Sequence, residues 1–257
     1  MYTDIMNLDG QKFLVSLCEP LQLTVQTHIE RETQTALGVA LQSQLNLVRT
    51  RGFYPVHVHC DPQSAFRSIT TQFPGVVINP SGAGDCVPKV DQKIRRIKEI
   101  YRCVKSGLLW RLPIILVKDL VAYAVARINI LHTTAINQTV VPRVLFTGIR
   151  VDFKKELSLA FGDYCEVYDG TDNTSRSRTV PCIALHPCNN ATGSWTFYNL
   201  HTNVRIRRSQ WTKLPTTQLI VDVVNAIDPD SPTNVLDVIQ PVGEQLAITT
   251  SRGCTTC

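Results

Sequence analysis

The stretch YTDIMNLDGQKFLVSL, residues 2–17, decides the fold. Asp9-Gly10 is a two-residue hairpin signal, because both residues tolerate the positive φ angles of a tight turn. The runs on either side, Tyr2–Leu8 and Lys12–Cys18, read as strands that fold back on each other. Leu21–His28 reads as a third strand. Glu32–Arg49 has Ala36, Val39, Ala40 and Leu47 at helical spacing, and Gly52 ends it. Pro55–Asp61 and Gly75–Asn79 are further apolar strand-like runs, with a short helix expected between them at Pro62–Gln72. Asp85–Ser106 is helical, with Val90, Ile94, Ile97, Tyr101 and Val104 on one face. Pro113–His132 is a more apolar helix. Three hairpin strands followed by alternating helices and strands predict an α/β fold, a mixed sheet covered by helices.

From Phe161 the texture changes. The runs Tyr164–Tyr168, Cys182–Leu185, Ser194–Leu200 and Val204–Arg207 are separated by Gly, Asn, Pro and Ser turns. They predict a small β-barrel, reached through a hinge near Val151–Leu159. Gln218–Ile227 is a plausible helix, and the residues after it are poorly patterned and expected to be loosely ordered.

Composition sets limits. The chain has 257 residues, is 44% hydrophobic and carries a formal net charge of +5. Its sequence pI is about 8.7 and its mean hydropathy is zero. A real core is available, and a nucleic-acid partner is compatible with the charge. Residues 89–111 hold eight Lys/Arg and two acids, an excess above the whole-chain net. Arg205, Arg207, Arg208 and Lys213 form a second basic island, whereas residues 214–257 are acidic. The nine cysteines have no framework spacing and there is no signal-like N-terminus, which predicts reduced thiols inside the cell. Cys254 and Cys257 form a CxxC, but no second ligand pair stands at finger spacing. No apolar run reaches membrane-spanning length, so no membrane partner is expected.

The chemistry-bearing residues are carboxylates. Asp4 lies in the first strand and Asp61 ends the fourth. An unpaired acid at the end of a buried strand is costly and calls for a partner or a metal. Asp91 sits one turn into the basic helix, which can bring a third acid to the pair. Three carboxylates suit Mg²⁺ or Mn²⁺, hard cations that take oxygen ligands and serve phosphodiester chemistry. The plain alternatives are that Asp61 caps the next turn and that Asp91 is a first-turn acid favoured by the helix dipole. Asp91, Arg95, Lys98 and Arg102 fall on one helical stripe at i, i+4, i+7 and i+11, with Lys89, Lys93, Arg96 and Lys105 beside it. Such a stripe suits a phosphate backbone running toward a metal site. A solvated helix face is the other reading, weakened by the apparent lack of acidic partners. His57 and His59 can ligate zinc as H-x-H or simply hydrogen-bond within the sheet. Gly82-Ala83-Gly84 can cradle a phosphate or form a loop. Trp195, Phe197, Tyr198 and Trp211 read as barrel core, with Trp211 also placed to stack on DNA beside Arg207 and Arg208.

Taken together, YTDIMNLDGQKFLVSL, HVHCDPQSAF, GAGDCVPKVDQKIRRIKE, VPRVLFTG and FGDYCEVYDG, in this order, resemble the integrase region of a copia-type retrotransposon polyprotein. The resemblance spans about residues 2–213. It implies an RNase H-like mixed five-stranded sheet with flanking helices over 1–150, a linker over 151–160, an SH3-like β-barrel over 161–213 and an acidic tail over 214–257. It also implies metal-dependent 3′-end processing and strand transfer on double-stranded DNA, by a homo-oligomer when intact, in the nucleus if active and in the cytoplasm otherwise. The family's Asp-Asp-Glu triad falls on Asp4, Asp61 and Asp91. The third position holds Asp, one methylene shorter than Glu, and the spacing from Asp61 is shorter than the family's. Glu99 lies two turns farther along the same helix. The family's upstream His/Cys zinc module and the reverse transcriptase that follows have no counterpart in these residues. A fragment or decayed copy is therefore the second expectation, a non-enzymatic DNA-binding remnant. The basic residues implied to hold DNA are Lys89, Lys93, Arg95, Arg96, Lys98, Arg102, Arg205, Arg207 and Arg208.

Overall fold

A computed structural model describes residues 1–60, 73–80, 88–135, 138–170, 175 and 177–227. Asp9 (φ 44°) and Gly10 (φ 75°) both adopt left-handed backbone, as a primed hairpin turn requires. The turn joins β1 (Tyr2–Leu8) to β2 (Gln11–Cys18), with Leu8 opposite Gln11 and Tyr2 opposite Leu17. β3 (Leu23–Ile29) continues the antiparallel meander. β4 (His57–Cys60) and β5 (Val77–Pro80) then add in parallel on the other side of β1. The sheet order is β3-β2-β1-β4-β5. This mixed five-stranded sheet, with helices on both faces, is the RNase H-like arrangement. The helix expected at Pro62–Gln72 and the Gly82-Ala83-Gly84 loop lie outside the described residues.

The two faces of the sheet have separate cores. α1 (Gln34–Arg49) covers one, where Leu14, Cys18, Leu23 and Val58 meet Leu37, Leu41, Leu45 and Val48. Of the four residues chosen from the helical spacing, only Ala40 is buried; Val39 is 67% and Leu47 is 45% exposed. The helix carries apolar residues on two sides, and the stripe that docks runs through Leu37, Leu41, Gln44 and Val48 instead. Gln44 within that stripe accepts from Ser16 Oγ and donates Nε2 to Leu14 O at 2.9 Å, satisfying a polar group inside the core.

The other face is covered by α2 (Pro88–Gly107) and α3 (Val117–Ile130), the latter entered through a 3-10 turn at Ile114–Leu116. Val90, Ile94, Ile97 and Tyr101 of α2 are buried against Met6, Phe13 and Val15, as the spacing predicts. Asn129 of α3 accepts from Thr24 N at 2.9 Å and donates to Thr24 O at 2.8 Å, covering part of the edge strand β3. β6 (Thr133–Ala135) and β7 (Gln138–Val140) pair as a small hairpin, followed by α4 (Pro142–Thr147) and α5 (Phe153–Glu156).

A second five-stranded sheet is wholly antiparallel. It comprises β8 (Tyr164–Tyr168), β9 (Thr179–Pro187), β10 (Trp195–Asn199), β11 (Arg205–Arg208) and β12 (Trp211–Lys213), in the order β11-β10-β9-β8-β12. Its strands match the β-rich runs of the sequence, and β12 is an addition to them. The arrangement is consistent with a small barrel. Trp195, Phe197 and Tyr198 are in its core, and half-buried Trp211 packs on Phe197 with ring centroids 5.5 Å apart. One hydrophobic cluster runs from Met6 through α3 into Leu185 and Trp195. Within 214–257, residues Gln218–Asn225 form α6, whose Ile220, Val223 and Val224 join that cluster; residues 228–257 lie outside the described residues.

Candidate active site and basic surface

Side chains alternate across a strand, so Tyr2, Asp4 and Met6 share one face of β1. Met6 is buried among α2 and α3 residues, which assigns half-buried Asp4 to their side of the sheet. β1 is the central strand, and Asp4 lies opposite Val15. Its Oδ1 accepts from the Ile5 amide at 2.7 Å. On β4, the partner of β1, Thr3 pairs with Cys60 in parallel register. Asp61, the next residue, lies outside the described residues.

The first turn of α2 lies over the same face. Lys89 Nζ is 5.0 Å above the Tyr2 ring and 2.9 Å from Glu19 Oε2. Tyr2 in turn stacks on His59 with ring centroids 5.0 Å apart. Partial burial, and then the positive charges of the terminal amine, His57 and Lys89, push His59 below the usual imidazole range. Glu19 holds Lys89 above the usual lysine range. Asp91 occupies the first turn of α2 and is exposed. The fold thus brings Asp4 and Asp91 to one side of the sheet.

Among the described residues, no three His, Cys, Asp or Glu side chains come together as a metal site. Two of the three expected ligands are described, and both offer carboxylate oxygens, the donor type that hard divalent cations take. Asp4 is half-buried and Asp91 exposed, both on the side of the sheet that α2 covers. His57 and His59 stand with ring centroids 6.5 Å apart, without a third ligand among the described residues.

The basic stripe of α2 is less bare than the sequence suggests. Glu99 Oε1 is 3.4 Å from Arg95 Nε and its Oε2 is 3.2 Å from Arg96 Nη1. The acidic partners judged absent are therefore present at i+4 and i+3. Lys105 pairs with Asp9, which also accepts from Tyr101 Oη at 2.7 Å. Exposed pairs of this kind are weak. Lys93, pushed below the usual lysine range by burial, lines a groove of about 470 Å³ with Gln22, Gln92, Arg95, Arg96 and Glu99. Arg102 Nε donates to Lys98 O at 3.1 Å, on the neighbouring part of the stripe.

The second basic island is largely engaged within the chain. Arg205 donates Nη2 to Ile115 O at 2.7 Å and grips Asp119 with both Nε and Nη2. Arg208 donates to Asp169 Oδ1 at 2.6 Å and to Tyr168 O at 3.1 Å. Arg207 is exposed. Asp119 is a single carboxylate amid the apolar residues of α3 and so demands a counter-charge, but nothing in the sequence identifies Arg205 as its source.

A second buried arrangement has no sequence signal. Arg127 donates to Glu156 O at 2.8 Å and Leu159 O at 2.7 Å, and its guanidinium is 4.6 Å from the Tyr123 ring centroid and 5.7 Å from that of Trp195. Beside it, Arg143 Nη2 is 2.8 Å from Glu156 Oε1. These contacts tie residues 151–160 to α3, α4 and β10.

No family model matches this sequence, and no curated protein matches it. Among solved structures, the chain is similar to the catalytic core domain of BIV integrase, with 13% identity and a TM-score of 0.41, covering 57% of this chain and 92% of that chain.

Proposed function

We propose that this chain is the catalytic core and SH3-like barrel of a copia-type retrotransposon integrase, a polynucleotidyl transferase that trims a 3′ end of element DNA and joins it to target DNA. The observation that carries the reading is the position of Asp4: it is half-buried on the central strand of an RNase H-like sheet, on the face over which the first turn of α2 brings Asp91. Residues 1–150 are the core, 151–160 the connection, 161–213 the barrel and 214–257 the acidic tail. The strand order of the second sheet supports the barrel assignment.

Asp4, Asp61 and Asp91 are the carboxylates that would hold Mg²⁺ or Mn²⁺. Such ions, when bound, activate a water or a 3′-hydroxyl and stabilise the leaving oxygen. The chain itself supplies the rest. Its carboxylates fix the site on rigid strand and helix backbone. Lys93, Arg95, Arg96, Lys98 and Arg102 grip the DNA backbone along α2, with Lys89 at its head. Arg207 of the second sheet adds a further cation, and the intact enzyme acts on double-stranded DNA as an oligomer.

A second reading, a DNA-binding remnant without activity, is favoured by one observation. Asp91 is exposed and one methylene shorter than the Glu the resemblance calls for. One experiment separates the two: Mg²⁺- or Mn²⁺-dependent strand transfer on a labelled element-end duplex, comparing the native chain with Asp61→Asn and Asp91→Glu. Activity abolished by Asp61→Asn supports the enzyme. Activity that appears only with Asp91→Glu supports a decayed site on an intact scaffold. DNA binding without activity in all three overturns the enzyme reading.

A further inference from the structure

We propose that Cys165 and Cys182 are a thiol modification site, which a hydroperoxide converts to a cross-strand disulfide that locks β8 to β9. Both residues lie in the second sheet, whereas Asp4 and Asp91 belong to the first sheet and its helix.

The strand register places the two thiols together. Cys165 and Cys182 are direct partners in the antiparallel pairing of β8 with β9. Residues paired in this way share one face of a sheet, and both side chains are buried in the core. Ala184 N donates to Asp163 O at 2.9 Å and Asp169 N to Arg178 O at 3.0 Å, which fixes the alternation of the ladder. Cys165 and Cys182 are therefore a hydrogen-bonded pair, and Pro181, which has no amide hydrogen, falls in the intervening position opposite Glu166. Such pairs hold their Cα atoms about 5.5 Å apart, a separation common in disulfides. Both thiols are free, and the 3.9 Å contact of Cys165 Sγ with Asp163 O is too long to fix its rotamer. The other described cysteines, Cys18, Cys60, Cys103 and Cys188, have no cysteine opposite them in a ladder.

The row continues to the edge of the sheet. Lys213 of the three-residue strand β12 stands opposite Cys165, and its side chain is 55% exposed. The approach to the pair is therefore on the Cys165 side. Burial pushes both thiols up, Cys165 to about 12, while the Lys213 charge works the other way on Cys165. Both sulfurs thus rest as thiols, and the reaction is slow and suited to a small oxidant. The Cys165 thiolate attacks hydrogen peroxide, the O–O bond breaks, and Cys165 becomes a sulfenic acid as hydroxide leaves. The Cys182 sulfur then displaces that hydroxyl as water and forms the S–S bond. In sum, two thiols lose two electrons and two protons, and one peroxide becomes two waters.

The test treats the full chain with hydrogen peroxide at a dose that oxidises exposed Cys103, alkylates the remaining thiols and maps the digest without reduction. We expect the Cys165 and Cys182 peptides joined, short of two hydrogens, and separate again after reduction. Cys182→Ala removes the second sulfur, so the reaction should stop at a sulfenic acid on Cys165, which dimedone traps. The oxidised native chain should melt about 5 °C higher than the reduced one, because the closed loop restricts the unfolded chain, and Cys182→Ala should show no such rise. The mapping uses the native chain, so it decides the matter even where Cys182→Ala fails to fold. The proposal is overturned if Cys165 and Cys182 stay reduced while Cys103 is oxidised, if they are joined to other cysteines, or if they join only in urea that unfolds the chain. A bridged chain that melts no higher overturns the lock.

Discussion

Arg205 and Asp119 form a two-pronged ion pair between the two sheets' territories: Nε is 3.0 Å from both carboxylate oxygens and Nη2 is 2.7 Å from Oδ2. Arg205 comes from β11 and Asp119 from α3, 86 residues earlier. Asp119 is 4% exposed, so its charge relies on this partner. His186 Nε2 is 3.8 Å from Asp119 Oδ1, and burial pushes that imidazole below its ordinary range despite the nearby carboxylate. Desolvation outweighs the attraction there, which leaves Arg205 as the principal counter-charge.

Arg205→Ala should therefore destabilise the protein by about 2–4 kcal/mol, below the top of the range for fully enclosed pairs because 32% of the Arg205 side chain is exposed. Arg205→Ala combined with Asp119→Leu should recover much of the loss, since an apolar pair removes the orphaned charge. Urea unfolding of the single and double variants checks this. Equal stability of Arg205→Ala and the native chain would show that the pair contributes nothing.

Glu99 restrains Arg95 and Arg96 on the face assigned to DNA. Glu99→Gln removes one negative charge and frees both guanidinium groups. Affinity for duplex DNA should rise several-fold, and the slope of log affinity against log salt should steepen by about 1–2 as released cations meet phosphates. Lys98→Ala should move the slope the other way by about 1. Fluorescence anisotropy over a salt series reads both, and an unchanged slope in Glu99→Gln would remove this face from the DNA interface.

Asp9 links the hairpin turn to α2. The hydrogen bond from Lys105 holds its carboxyl below the ordinary value of 3.8, and Tyr101 adds a smaller effect in the same direction. A lowered folded-state pKa means that the unfolded chain binds the proton more readily. The contribution is thus present above about pH 4 and is lost as pH falls through the folded value. Asp9→Asn preserves the left-handed turn conformation, which Asn tolerates, and removes only the charge. It should lower the melting temperature at pH 6 and lose its effect near pH 2. The same deficit at both pH values would assign the loss to the turn instead of the ion pair.

The resemblance and the periodicities reach far into this molecule. Asp9-Gly10 fixes the hairpin because few residues adopt its backbone, and the spacing of Val90, Ile94, Ile97 and Tyr101 fixes the buried face of α2 because only that stripe is apolar. Asp4 is legible as a candidate because it lies in the first strand, where the resemblance puts the first acid of the triad. The face of α1 was not legible. Val39 and Leu47 compete locally with Leu37, Leu41, Leu45 and Val48, and packing against β2 and β3 decides for the latter four, which are all buried. Nor was the fate of the second basic island, because a run of arginines reads the same whether it faces phosphate or Asp119. Charge pairing between residues 86 positions apart depends on which surfaces the fold brings together. Local patterns thus determined the strands, the helices and the candidate carboxylates. Tertiary packing decided which of the charged groups remain available to a partner, since a long-range ion pair leaves no periodic trace in the chain.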